Sequence, residues 1–333
     1  MTYEEFKDEL WEQVTKKSEW GLSEDNIKIY NNGFSAPDDE NEQKFIRDTN
    51  IRYHKKESDI LIGDFMVINI NGPEEDVKHQ CRLDLNALYE DFGKLGWEFV
   101  WKVVKNNVDL SNQLFETGVL SLINDYNAAR EKLIIRPINY TDNKYSLKEA
   151  VYKKIGDIAL VLYLVMYENK VQGLGTTKIH KETFGKWGKD FEEVWEAALT
   201  NTYVLAPPRM YFTPDECMEP PYERGAFMAF GSKMKSFGKL QTPTVTTTKQ
   251  INGAIAMFYP GVKEKIASMA GGSYYVAFTS IHEARIHCVN TVPPRTILSS
   301  IKRVNKAFDP EEILTRKVYY YDAKKDTFDM LEL

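Results

Sequence analysis

Ten consecutive apolar residues, Ile158 to Tyr167, constrain this 333-residue chain more than any other stretch. A membrane-spanning helix needs about 20 such residues, so the run is half of a span. It does not alternate apolar with polar side chains, as a half-exposed strand would, and therefore reads as one buried strand between Asp157 and Glu168. Asn169-Lys170 then forms a turn into a second strand that reaches Ile179.

Amphipathic helices surround this sheet in the sequence. Thr2 and Glu5 make a capping box that opens a helix with Phe6, Leu10 and Val14 on one side. Asp190 caps another, with Glu193 at its third position and Phe191, Val194, Trp195, Ala198 and Leu199 at helical spacing, which predicts a buried Trp195. Helical patterns cover 84–106, interrupted by Gly93 and Gly96, and 110–132. Pro260 and Gly271-Gly272 bracket a short helix, and Ile297, Leu298, Ile301, Val304 and Phe308 carry one over 294–308. Strands or hairpins are expected at 59–70, 134–138, 274–279, 283–289, 318–321 and 327–331. The segment from Val204 to Lys249 reads as irregular, with five prolines between Pro207 and Pro221, and its backbone is expected at the surface.

The fold class is therefore α+β, with mixed sheets flanked by amphipathic helices in two α/β lobes. Length alone predicts about two domains. They are placed at 1–150, a helix-rich lobe with a strand or hairpin near 59–70, and 151–333, an α+β lobe carrying the irregular 204–249 region.

Net charge is −6 and the pI about 5.6, which argues against a nucleic-acid binder acting by broad phosphate neutralisation. Cys81, Cys217 and Cys288 are scattered and odd in number, with no C-x-x-C pair, so a reducing, cytoplasmic compartment is expected. The acidic amino terminus carries no signal-peptide pattern.

The candidate motifs for chemistry each break their own geometry. His282-Glu283 and His287 resemble H-E-x-x-H, but the interval is five, not four. On a helix the second ring turns roughly 140° from the first, and on a strand the two fall on opposite faces. The alternation of Ala284, Ile286 and Cys288 with Glu283, Arg285 and His287 favours a strand. Gly173 to Lys178 has neither phosphate-loop spacing nor a following helix and reads as a hairpin. Cys217 beside Glu216 and Cys81 near His79 lack an evident base, and Asp38–Glu40 and Glu74–Asp76 lack calcium-loop spacing. No catalytic residue, metal or cofactor is expected from these motifs.

One stretch combines charge with aromatic side chains. Arg224, Phe230, Lys233, Lys235, Phe237 and Lys239 lie close together, with no carboxylate from Gly225 to Lys239. This is the expected working surface, with Phe237 as its anchor. The Ser280, His282 and Glu283 turn is the second choice.

Six phrases in order carry a family resemblance. They are Leu83-Asp84-Leu85-Asn86-Ala87-Leu88-Tyr89-Glu90-Asp91-Phe92, Ile135-Arg136-Pro137-Ile138-Asn139-Tyr140, Trp187-Gly188 with Glu193 to Thr202, Ile251-Asn252-Gly253-Ala254 with Phe258 to Gly261, Thr279 to Glu283, and Val318 to Asp322. Together they resemble an uncharacterised domain-of-unknown-function family (the 5688 type) of Gram-positive gut bacteria and their mobile elements. The helix from Trp187-Gly188 to Asn201, with the later Ser280–Glu283 strand end, is also similar to a second uncharacterised bacterial family. The resemblance implies architecture and no catalytic residues. Carriage by a mobile element or phage would imply action on host machinery.

The expected function is thus a non-enzymatic binding protein whose partner is another protein, with neither nucleic acid nor membrane expected. The alternative is an enzyme whose site assembles from dispersed residues such as His180, His282, Glu283 and Asp157.

Overall fold

A computed structural model of the chain describes residues 1–16, 20, 22–30, 64–71, 78–116, 119–169, 173–213, 216, 224–232 and 236–333. Lys233, Lys235, Cys217, both acidic sets and the first part of the expected 59–70 strand lie outside the described residues. The chain divides into two compact units, Met1–Ile123 and Asn124–Leu333.

Unit one begins with α1 (Tyr3–Lys16), opened by the expected reciprocal bonds. The Thr2 N–H donates to Glu5 Oε2 at 2.8 Å and the Glu5 N–H to Thr2 Oγ1 at 3.3 Å. Phe6, Leu10 and Val14 are all fully buried. Strands β1 (Ile27–Tyr30), β2 (Phe65–Asn71) and β3 (Lys78–Asp84) make an antiparallel sheet in that order. Helix α2 (Leu85–Glu116) kinks at Gly96, whose φ of 76° is the left-handed conformation that glycine adopts without strain. Its Val100, Val104 and Val108 complete a core with Phe6, Met66, Ile68 and Leu83. Lys7 forms a buried ion pair with Asp64 at 3.2 Å. Helix α3 (Val119–Asn124) runs to the boundary.

Unit two starts with α4 (Tyr126–Ala129) and an antiparallel sheet of β4 (Leu133–Asn139), β5 (Tyr152–Ile155), β6 (Ile158–Asn169) and β7 (Gly173–Lys178). The ten-residue apolar run is the middle of this sheet. β6 pairs with β4 along one edge and with β5 and β7 along the other, and residues 158–164 are buried throughout. Because Leu133 to Asn139 pairs with Leu164 back to Ile158, a division at 150/151 would cut this sheet; the units instead separate at 123/124. Gly173–Lys178 is the second arm of a hairpin and opens no helix.

After α5 (Lys181–Trp187) comes α6 (Phe191–Leu205), capped as expected by Asp190, whose Oδ1 accepts from the Glu192 and Glu193 N–H groups at 2.9 and 3.2 Å. Trp195 is buried and stacks on Phe191. Helix α6 is tied to the sheet where the Ile135 N–H donates to Thr202 Oγ1 at 2.9 Å.

The second sheet of unit two has six antiparallel strands. They are β8 (Pro208–Tyr211), β9 (Thr244–Thr247), β10 (Tyr274–Phe278), β11 (Ala284–Cys288), β12 (Tyr319–Asp322) and β13 (Thr327–Met330), in the order β13-β12-β10-β11-β9-β8. Helix α7 (Val262–Ala270) precedes β10, and α8 (Pro294–Val304) packs Ile297 and Ile301 against Ala277 and Val318. The 204–249 region is thus less irregular than expected. It supplies the β8 edge strand, where Pro208 takes the first position that a missing N–H permits, and β9. The fold is α+β. Among the described residues no helix is long and apolar enough to cross a membrane.

Candidate functional site

The polar side chains of unit two converge where β9 turns back on itself. Past Thr247 the chain reverses through Thr248–Asn252, and both Gln250 (φ 55°) and Asn252 (φ 53°) take left-handed backbone. Asparagine tolerates this region; a glutamine there is uncommon, and such positions gather where the surroundings force them. Gly253 follows because nothing larger fits. A Cβ there would run into Thr246 Oγ1 and the His282 carbonyl, and would lie 3.0 Å from the Thr247 nitrogen.

His282 belongs to the turn before β11. Its N–H donates to Ser280 Oγ at 3.0 Å, and its carbonyl accepts from Thr246 Oγ1 at 2.7 Å. Imidazole Nδ1 accepts from the Asn252 N–H at 3.1 Å, which places the ring proton on Nε2, facing Glu312 Oε1 at 3.3 Å. Ile281 reinforces the arrangement. Its carbonyl accepts from the Ala254 N–H at 3.1 Å and its N–H donates to the Glu312 carbonyl at 2.7 Å. The turn is a clamp on Asn252-Gly253, and both ring nitrogens of His282 are committed to it.

Asn252 is also held from its other side. Arg136 on β4 shares a sheet face with Tyr163 and Thr176, as the register of β4 on β6 and β6 on β7 requires. Its Nη1 donates to Thr176 Oγ1 at 2.6 Å, and the guanidinium lies 5.4 Å from the Tyr163 ring centre. With the Asn252 amide assigned so that its oxygen faces Arg136, the orientation that satisfies both groups, Nε and Nη2 donate to that oxygen at 3.0 and 2.6 Å. Asn252 therefore joins the two sheets of unit two, through its side chain to β4 and its backbone to His282. Burial pulls the Arg136 guanidinium below its usual pKa, against a smaller opposing effect of Tyr163.

The expected strand alternation is present in β11. Ala284, Ile286 and Cys288 are buried, while Arg285 and His287 are half-buried. Burial, with Arg285 adding to it, lowers the His287 pKa, and its Nδ1 has no hydrogen-bond partner among the described residues. His282 lies in the turn before β11 and His287 within it, and among the described residues they share no partner. Among the described residues no three His, Cys, Asp or Glu side chains gather as a metal-binding group. Burial pushes the Cys81 thiol up to about 12 and raises that of Cys288, so neither is primed as a thiolate.

Several expected site residues are placed differently. Phe237 is 6% exposed and packs on Phe212, so it is a core residue and not a surface anchor; Phe227 is buried as well. Ser280 is buried and spends its hydroxyl on the His282 N–H. Glu283 is half-buried, accepting from Thr279 Oγ1 at 2.8 Å with Arg285 Nε at 3.5 Å. Arg224, Phe230 and Lys239 are exposed, Phe230 completely. Asp157 accepts from Thr315 Oγ1 and Tyr319 OH, all at 2.8 Å, and shares no partner with His282. His180 precedes α5 as its cap residue. Arg136, Asn252 and Glu312 went unnoticed as site residues, although a lone arginine inside the apolar Ile134–Ile138 strand is a signal.

The profile of a family of unknown function, DUF5688, matches residues 50–323, and the chain belongs to that family. No curated protein and no solved structure matches it.

Proposed function

We propose that this member of a family of unknown function is a binding protein without chemistry of its own, and that it works through the 224–241 segment of unit two. The observation that carries this reading is Phe230. It is fully exposed, yet it sits between Phe227 and Phe237, both buried. An exposed ring three residues from a buried one has its backbone tethered there, which reduces the entropy lost on association. Leu240 is 89% exposed on the same segment. Arg224 and Lys239 are exposed too, and no Asp or Glu occurs from Arg224 to Lys263 in a chain of net charge −6. The partner chemistry that fits is an acidic protein surface with an apolar recess, in the cytoplasm. Such charge speeds encounter, and the aromatic ring supplies the anchor.

The test is a photoreactive amino acid in place of Phe230, cross-linked in the native host. One acidic protein cross-linked at 230 and absent from a control at exposed Lys306 supports the reading; identical products at both positions oppose it.

The second reading, an enzyme with a dispersed histidine–carboxylate site, rests on the His282–Glu312 approach at 3.3 Å. It is the weaker reading because Nδ1, the nitrogen that a general base would use, is occupied by the Asn252 N–H. His282→Ala with full partner binding and loss of a defined turnover would favour it.

A further inference from the structure

We infer that Arg136 anchors an oxyanion-binding site in unit two, taking the carboxylate or phosphate group of a small ligand on the N–H donors that its protein partners leave unspent. The site is independent of the 224–241 surface. A guanidinium carries five N–H donors. Three are spent, one on Thr176 Oγ1 and two on the Asn252 amide oxygen, leaving one on Nη1 and one on Nη2. All these partners are neutral, and among the described residues no carboxylate acts on its charge; Tyr163 is the one titratable group that does.

That is an unusual place to leave a cation. A charge drawn partly out of water is ordinarily paired, because hydration lost without a counter-charge is costly. Arginine is the side chain whose fork matches two oxygens of a carboxylate or phosphate. Here the fork is held on one side by Asn252, on another by Thr176, and over the Tyr163 ring, so its orientation is set before any ligand arrives. Asn252 is itself locked, by the Asn252 N–H to His282 Nδ1 bond and by its left-handed backbone. Arg136 is half-buried, so the residue is not wholly enclosed by the protein. An arginine serving purely as a staple between the sheets would be better served by an aspartate at position 252, which tolerates the same backbone and would neutralise the charge. The neutral amide positions the guanidinium while leaving its charge for a ligand.

The experiment titrates the full chain with sodium phosphate and, separately, sodium acetate, against sodium chloride at equal ionic strength. The readouts are the Arg136 Nε–H resonance and the melting temperature. The expected result is a saturable shift with phosphate or acetate and none with chloride, the tighter of the two naming the ligand class. Arg136→Gln should weaken binding at least tenfold. Because that variant could fold poorly, Asn252→Asp is the second arm. Supplying the counter-charge from within, it should melt at or above wild type and lose anion affinity at least tenfold. A response that is linear and equal to that of chloride, or wild-type affinity in Asn252→Asp or Arg136→Gln, would overturn the assignment.

Discussion

At the scale of single residues, two positions make sharp predictions. His287 is half-buried, its Nδ1 has no partner among the described residues, and burial holds its pKa below the ordinary value of about 6.5. The unfolded chain therefore takes up the proton first as pH falls. The stability that neutral His287 permits is fully present above about pH 6.5 and is lost as pH drops toward the folded value. The urea midpoint should fall between about pH 7.5 and about pH 5.5, and by less in His287→Gln; equal falls would show that His287 titrates normally. Gly253 is the second position. Its missing side chain lets the turn close on Thr246 and His282, so Gly253→Ala should cost about 1–3 kcal/mol through overpacking. Thermal melting checks this, and an unchanged midpoint would mean that the clamp yields easily. Residue chemistry was only partly legible from sequence. The His282/His287 spacing excluded a two-histidine helix site, but Arg136 gains its meaning from Asn252 and Thr176, 116 and 40 positions away. Phe237 and Phe230 look alike in the sequence, and only long-range packing separates the core ring from the exposed one.

At the scale of elements, what was legible was what is local. Helix α6 declares itself by Asp190 and its apolar spacing, and Trp195 is buried where that spacing puts it. Trp195→Ala should therefore cost about 3–5 kcal/mol, a large part of a domain's usual stability of about 5–15 kcal/mol. A variant melting like wild type would mean that the stripe is not part of the core. The β6 run, the β12–β13 hairpin and the glycine-bracketed α7 were legible for the same reason. Strands β3 and β8 were not. β3 reads Lys-His-Gln-Cys-Arg-Leu-Asp, too polar to announce a strand, and exists because it pairs along β2. β8 starts at a proline and is held by β9, more than thirty residues later.

At the scale of the whole molecule, the pairing of β4 on β6, which no local pattern predicts, keeps residues 133–164 within one unit, Asn124–Leu333. Unit two carries both the clamped Asn252 turn and the segment led by Phe230, and the central claim is that the latter binds an acidic protein. Burying a phenylalanine is worth about 1.5–3 kcal/mol, and each 1.4 kcal/mol is about tenfold in affinity. Calorimetric titration of the cross-linked partner, once purified, against wild type and Phe230→Ser tests the claim most directly. Phe230→Ser should bind about 10–100-fold more weakly while melting within about 0.5 kcal/mol of wild type, as surface substitutions do. Equal affinity for the two proteins would contradict it.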